Sequence, residues 1–150
     1  LQGDRRQEFS ARNYLAWIRA LGGDSEAAAR EARAALEHTQ THRPYRVQAL
    51  AVLARALLEQ GQVTSALDAA REAMELLEAL GTEEGESLAR LAWAEALSAA
   101  GRTEQSTIAF DAARRRLLDR AAGIGDPSYR RSFLEQVPEH ARTMAQCPTS

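Results

Sequence analysis

The chain has 150 residues, of which 45% are hydrophobic but only 5% aromatic, so much of its apolar content is alanine. That length suits one domain, and the Ala, Leu, Glu and Arg mixture favours helix. A net charge of −2 gives no global field that would draw in nucleic acid or an anionic membrane, and no apolar run approaches the roughly 18 residues of a membrane span.

The first predicted unit, at about 5–40, carries Tyr14, Trp17, Ile18 and Leu21 on a first helix. The Gly22-Gly23 pair stops that helix, and Ala28, Ala32, Ala35 and Leu36 keep helical spacing on a second. Asp24 or Ser25 can cap the second helix through a side-chain oxygen. The polar stretch "HTQTHR" reads as a turn, with Pro44 in the first turn of the next helix. The second unit, 44–80, is the clearest. Val47, Leu50, Leu53, Ala54, Leu57 and Leu58 lie on one face, and Gly61 fits the left-handed residue that ends a helix. Val63, Ala66, Leu67, Ala70, Ala73, Met74 and Leu77 form a second face, stopped at Leu80-Gly81. The third unit, 84–122, repeats this with Leu88, Leu91, Ala92 and Leu97, then Gly101, then Phe110, Ala113, Leu117 and Ala121. Thr103 is the expected cap of its second helix.

Gly23, Gly61 and Gly101 thus recur at a nearly constant spacing of about 40 residues, which marks a repeat. One such hairpin cannot bury its apolar face alone, so units must stack. Residues 123–150 are expected to form capping helices and a frayed tail. Gly123 ends the preceding helix, Asp126 caps the next, and Pro127 opens it. Tyr129, Phe133 and Val137, four residues apart, are placed to cover the apolar face of the third unit. Pro138 starts a last helix running through His140 to Met144.

The residues resemble the tetratricopeptide repeat over roughly 9–122. The second unit gives Leu50-x2-Leu53-Ala54-x2-Leu57, then Ala66-x3-Ala70, with Ala73. The third gives Arg90-x2-Trp93-Ala94-x2-Leu97, then Ser106-x3-Phe110, with Ala113. The first gives Leu15-Ala16, then Ala28-x3-Ala32, with Ala35. The small residues let the two helices of a hairpin approach closely. Three departures stand out. Arg19 occupies a position for a large apolar residue, the closing proline is missing, and a period beyond the usual 34 implies helices about a turn longer.

The resemblance implies an all-α solenoid of three antiparallel hairpins plus C-terminal capping helices. The first helix of each hairpin would line a concave groove for a peptide or a protein domain. Projected onto this chain, the groove takes in Asn13, Trp17, Gln48, Ala51, Arg55, Leu58, Leu88, Leu91, Glu95 and Ser98, with Asn13, Arg55 and Glu95 as polar contacts. A groove that clamps a C-terminal carboxylate needs lysines and asparagines. All 19 basic residues here are arginine and Asn13 is the only asparagine, so that specialisation is not expected. The C-terminal half is also similar to the end of large bacterial signalling proteins, in which a serine/threonine kinase or AAA-like ATPase domain precedes many repeats. The chain opens at "LQGDRRQEF" without a methionine and reads as a fragment of something longer.

Other motifs read as structure. His38 and His42 have the spacing of a zinc pair, but no third ligand accompanies them and "THRP" breaks the helix between them. "GIGD" lacks the spacing and the lysine of a phosphate loop. Arg114, Arg115, Arg116 and Arg120, with Arg130 and Arg131, read as a solvated face paired to Asp111, Asp119 and Glu135. Trp93 reads as core. Cys147, the only cysteine, fits a reducing compartment and reads as a terminal bystander. No catalytic residue, metal or cofactor is expected. The expected function is a cytoplasmic protein–protein interaction scaffold or regulatory segment, with a sensor of a peptide or small ligand as the alternative. Homodimerisation through an exposed repeat face is a further expectation, since the end of an array leaves such a face open.

Overall fold

The computed structural model describes residues 2–146, with side chains described except at 2–6, 9 and 10. Eight helices pack together in it: α1 (Gln2–Leu21), α2 (Ser25–His38), α3 (Arg43–Glu59), α4 (Val63–Leu80), α5 (Glu86–Ala99), α6 (Thr103–Ala122), α7 (Pro127–Glu135) and α8 (Pro138–Ala145). No strand occurs among the described residues.

The turns after α1, α3 and α5 are copies of one another. Gly23 N–H donates to Ala20 O while Asp24 N–H reaches back to Arg19 O. Gly61 and Gln62 bond Leu58 O and Leu57 O in the same way, and Gly101 and Arg102 bond Ser98 O and Leu97 O. Each glycine has positive φ, which an L side chain adopts only with strain. The repeat in the sequence is thus a repeat in backbone hydrogen bonding.

Helix starts follow the local signals with one correction. Asp24 accepts from Ala27 N–H, and Asp126 accepts from Ser128 and Tyr129 N–H. Pro44, Pro127 and Pro138 all fall in first turns. Thr103, however, is already the first helical residue; Arg102 occupies the cap position and makes no side-chain cap bond. Gly123 also departs from expectation. It has φ −76, and the chain leaves α6 through Gly123 N–H to Arg120 O and Ile124 N–H to Ala121 O. The Arg130 guanidinium then caps this exit on Ile124 O (2.8 Å from Nη2).

Helix α3 packs on α1, α2, α4 and α5, and α5 packs on α3, α4, α6 and α8. The backbones of α2, α4 and α6 keep apart from one another. The arrangement is a central row of α1, α3 and α5 flanked by α2, α4 and α6. The core is built largely from alanine: Ala28, Ala32, Ala51, Ala54, Ala56, Ala66, Ala70, Ala73 and Ala89 are fully buried, with Val47, Val52, Leu91, Leu97 and Leu117 as the bulk. Small residues let helix axes approach closely, at the cost of little apolar area per residue.

The tail caps the stack differently from the expectation. Tyr129 is 72% exposed and covers nothing. Phe133 of α7 meets α6, where the Arg120 guanidinium lies 5.2 Å from its ring centre. Val137 is half-buried and serves as the cap residue of α8. The buried groups of the tail are His140 and Thr143, so α8, lying against α5 and α6, provides the lid.

Candidate functional site

The ten projected groove residues divide into two groups. Arg55 and Leu58 from α3 and Glu95 and Ser98 from α5 converge on one cavity of about 300 Å³. Ala99, Phe110, Arg142 and Gln146 complete its wall. Arg55 Nη1 donates to Glu95 Oε2, and Arg55 Nη2 donates to Glu59 Oε1 at 2.9 Å. Glu95 Oε1 accepts from Arg142 Nε. Glu95 therefore joins α3 to α5 and both to α8, and its side chain is only 9% exposed. Buried carboxylates of this kind need every partner, because the desolvation cost is offset only by the full set of hydrogen bonds.

The other six are placed elsewhere. Asn13 is fully buried and donates from Nδ2 to Tyr45 O at 3.2 Å, at the start of α3. Trp17 is 2% exposed. Both lie on the inward side of α1, so neither lines a groove. The outward side carries Tyr14, Leu15, Ile18 and Leu21 instead. Leu88 is buried, as are Ala51 and Leu91. Gln48 is half-buried and shares with Leu88 a separate cavity of about 150 Å³, bordered by Ser87, Arg120, Glu139 and His140.

That second cavity is closed by a directed hydrogen-bond chain. A carbonyl only accepts, so His140 Nδ1 must carry a proton and donate to Phe133 O at 2.7 Å. In neutral imidazole Nε2 then accepts from Ser87 Oγ at 3.1 Å. Ser87 Oγ in turn accepts from Arg120 Nη1 at 3.2 Å. The chain ties α8 to α5 and α6. Beside it, buried Glu86 accepts on Oε1 from Arg90 Nε (3.1 Å) and Arg116 Nε (2.9 Å). The hydrogen bond it donates to Glu86, then the charge of that carboxylate, holds the Arg116 guanidinium above its ordinary range. Arg116 also reaches Glu83 at 3.6 Å. Arg116 of the arginine cluster is thus ion-paired to Glu86 of α5 and to Glu83 in the loop before it, in place of the expected Asp111, Asp119 and Glu135. A residue-by-residue reading favours near neighbours, and these partners lie some thirty positions away.

Trp93 packs against the core and also floors an apolar cavity of about 330 Å³, walled by Met74, Leu97, Ile108, Ala109 and Ala112 with Arg90 and Gln105 at its edge. It opens where α4 and α6 stand apart over α5. His38 ends α2 and His42 is the residue before α3, its ring 6.4 Å from that of Tyr45. Cys147 and the rest of the tail after Gln146 lie outside the described residues. Among the described residues no group of three His, Cys, Asp or Glu side chains is arranged to hold a metal, and no helix is long and apolar enough to cross a membrane.

Phe110, Arg142 and Gln146 are site residues that the sequence reading missed. Phe110 shares helical spacing with the core positions Ala113, Leu117 and Ala121, and the other two belong to a tail whose docking position no local pattern encodes. The chain matches no family model, and neither a curated protein nor a solved structure gives a significant match.

Proposed function

We propose that the chain is a tetratricopeptide-like interaction module that holds a helical or extended peptide on the α3–α5 face. The observation that carries this reading is the convergence of Arg55, Leu58, Glu95, Ser98 and Phe110 on one cavity, next to which α8 already lies as a helix. Helix α8 seats beside this cavity on α5 and α6, so the stack already takes up one short amphipathic helix next to the face proposed for another. Its surround of two arginines and two glutamates, Arg55, Arg142, Glu59 and Glu95, favours a partner with mixed charge and an apolar anchor for Leu58 and Phe110. The three copies of the Gly turn and the central row of α1, α3 and α5 support the solenoid assignment. The reading assigns no catalytic step, metal or cofactor to these residues. It places the module in the cytoplasm, as a regulatory segment of a larger bacterial signalling protein that carries a kinase or ATPase domain.

Selection of helical peptides from a displayed library against the protein tests the binding role. Ser98→Trp fills the cavity from an exposed position without touching the core. Peptides selected on the wild type should lose binding to Ser98→Trp at least tenfold. An empty selection, or peptides indifferent to Ser98→Trp, would count against the site.

A further inference from the structure

The apolar cavity of about 330 Å³ over Trp93 and the cavity at Glu95 share α5 but no lining residue. Trp93 and Glu95 are two residues apart, about 200° around the helix, so the two cavities lie on opposite sides of α5. Counting from the three glycine turns shows how the apolar one arises. Ile108 falls on Asp68 and Arg30 of the earlier units, Ala112 on Glu72, Trp93 on Leu53, and Arg90 on Leu50. In the second unit Glu72 of α4 accepts from Arg46 of α3 at 2.8 Å, and Arg46 reaches Leu36 O of α2 at 3.4 Å. Charged side chains thus bridge the cleft between α2 and α4. Ala112 has no charge with which to do the same, and α4 and α6 stand open over Trp93. Ile108 sets a large apolar side chain, 62% exposed, where the other units carry charge. The walls are α4, α5 and α6, all inside the stack, so the cavity does not depend on what precedes or follows it.

We propose that this cavity binds a linear alkyl carboxylate of medium chain length, its carboxylate on Arg90 and its chain laid over Trp93 toward Leu97. The charge of the wall selects an anion. Arg90 is its one charged residue, and none of the lining side chains is acidic, so a cation would meet no partner. Arg90 Nε donates to Glu86 at 3.1 Å, which orients the side chain, and its two terminal nitrogens have no protein acceptor among the described residues. A guanidinium held in this way presents a fork of N–H donors that matches a carboxylate. Glu86 shares the same oxygen with Arg116, so its charge is divided between two guanidiniums. The helices set the length. Arg90 and Leu97 mark the ends of the cavity on α5, seven residues or about 10 Å apart. Helix α6 runs antiparallel, since Arg116 meets Glu86 while Ser106 meets Ala94 O, and this puts Gln105 at the Leu97 end. At about 1.2 Å per bond in an extended chain, about eight carbons cover that distance. Between the ends Trp93, Ile108 and Ala109 offer only apolar surface, which suits methylene groups. The volume falls at the lower end of the roughly 300–1,000 Å³ typical of small-molecule pockets.

Isothermal titration calorimetry of the whole chain with octanoate, and with octanol as its uncharged counterpart, tests the proposal. The wild type should bind one octanoate saturably and octanol about tenfold more weakly, the difference being the charged hydrogen bonds to Arg90. Arg90→Gln should bring octanoate down to the affinity of octanol and leave octanol unchanged. Ile108→Asp restores the residue of the second unit at an exposed position, so the fold is kept, and it should weaken both ligands by roughly tenfold. Far-UV circular dichroism checks that each variant keeps its helix content. Absence of saturable octanoate binding to the wild type overturns the proposal. Equal affinity for octanoate and octanol overturns it as well, because Arg90 then contributes nothing. So does octanoate binding that Ile108→Asp leaves intact, because the chain then lies elsewhere.

Discussion

Gly85 is the most constrained glycine among the described residues. It precedes α5 with φ +75, and a Cβ there would stand 3.2 Å from Gln48 N and 3.3 Å from Gln48 Cα. Those are backbone atoms in the interior of α3, with no rotamer that moves them aside. Gly101 has the same φ +75 but open space around it. Gly101→Ala therefore isolates the left-handed penalty, about 1–2 kcal/mol. Gly85→Ala adds displacement of α3 from the start of α5, about 1–3 kcal/mol by comparison with overpacked cores. For a chain of this size 1 kcal/mol moves Tm by about 2–4 °C. Thermal unfolding followed by far-UV circular dichroism should show Gly101→Ala losing a few degrees and Gly85→Ala losing about twice as much. Equal losses at the two positions would refute the close approach of α3 to α5, and with it the geometry that places Gln48 beside the His140 cavity.

Glu95→Gln keeps the size of the side chain but removes the charge shared by Arg55 and Arg142. It should cost about 1.5–3 kcal/mol, and hydrogen exchange should accelerate in α8 well before α3 and α4; unchanged protection in α8 would show that Glu95 does not hold it. Phe133→Asp should lower Tm by several degrees, since the ring lies 4.4 Å from that of His140 and under Arg120. Tyr129→Ala, on the same short helix but exposed, should stay within about 0.5 kcal/mol of wild type. Similar losses from the two substitutions would mean that α7 contributes to the cap differently from the contacts described.

Half of the candidate site was legible before the structure. Arg55, Leu58, Glu95 and Ser98 follow from helical spacing once the repeat is aligned, because in the central helix α3 the inward positions are fixed by packing on both sides. Asn13 and Trp17 failed at the end of the row. There the apolar residues Tyr14, Leu15, Ile18 and Leu21 look as core-like in sequence as any others, and nothing local says which side of α1 turns inward.

The sequence by itself determined the helices and most of their boundaries, Thr103 and Gly123 excepted. Glycine at positive φ, proline in first turns, and Asp24 and Asp126 as caps act within a few residues, so their signals are complete in the local chain. The tertiary structure alone decided the rotation of α1, the seat of α8 on α5, and the partners of the buried charges. Glu86 meets Arg116 and Glu95 meets Arg142 because α5, α6 and α8 pack together, not because those residues are near in sequence. Such pairings depend on helix rotation and docking, and those are set by the sum of many small contacts across the stack.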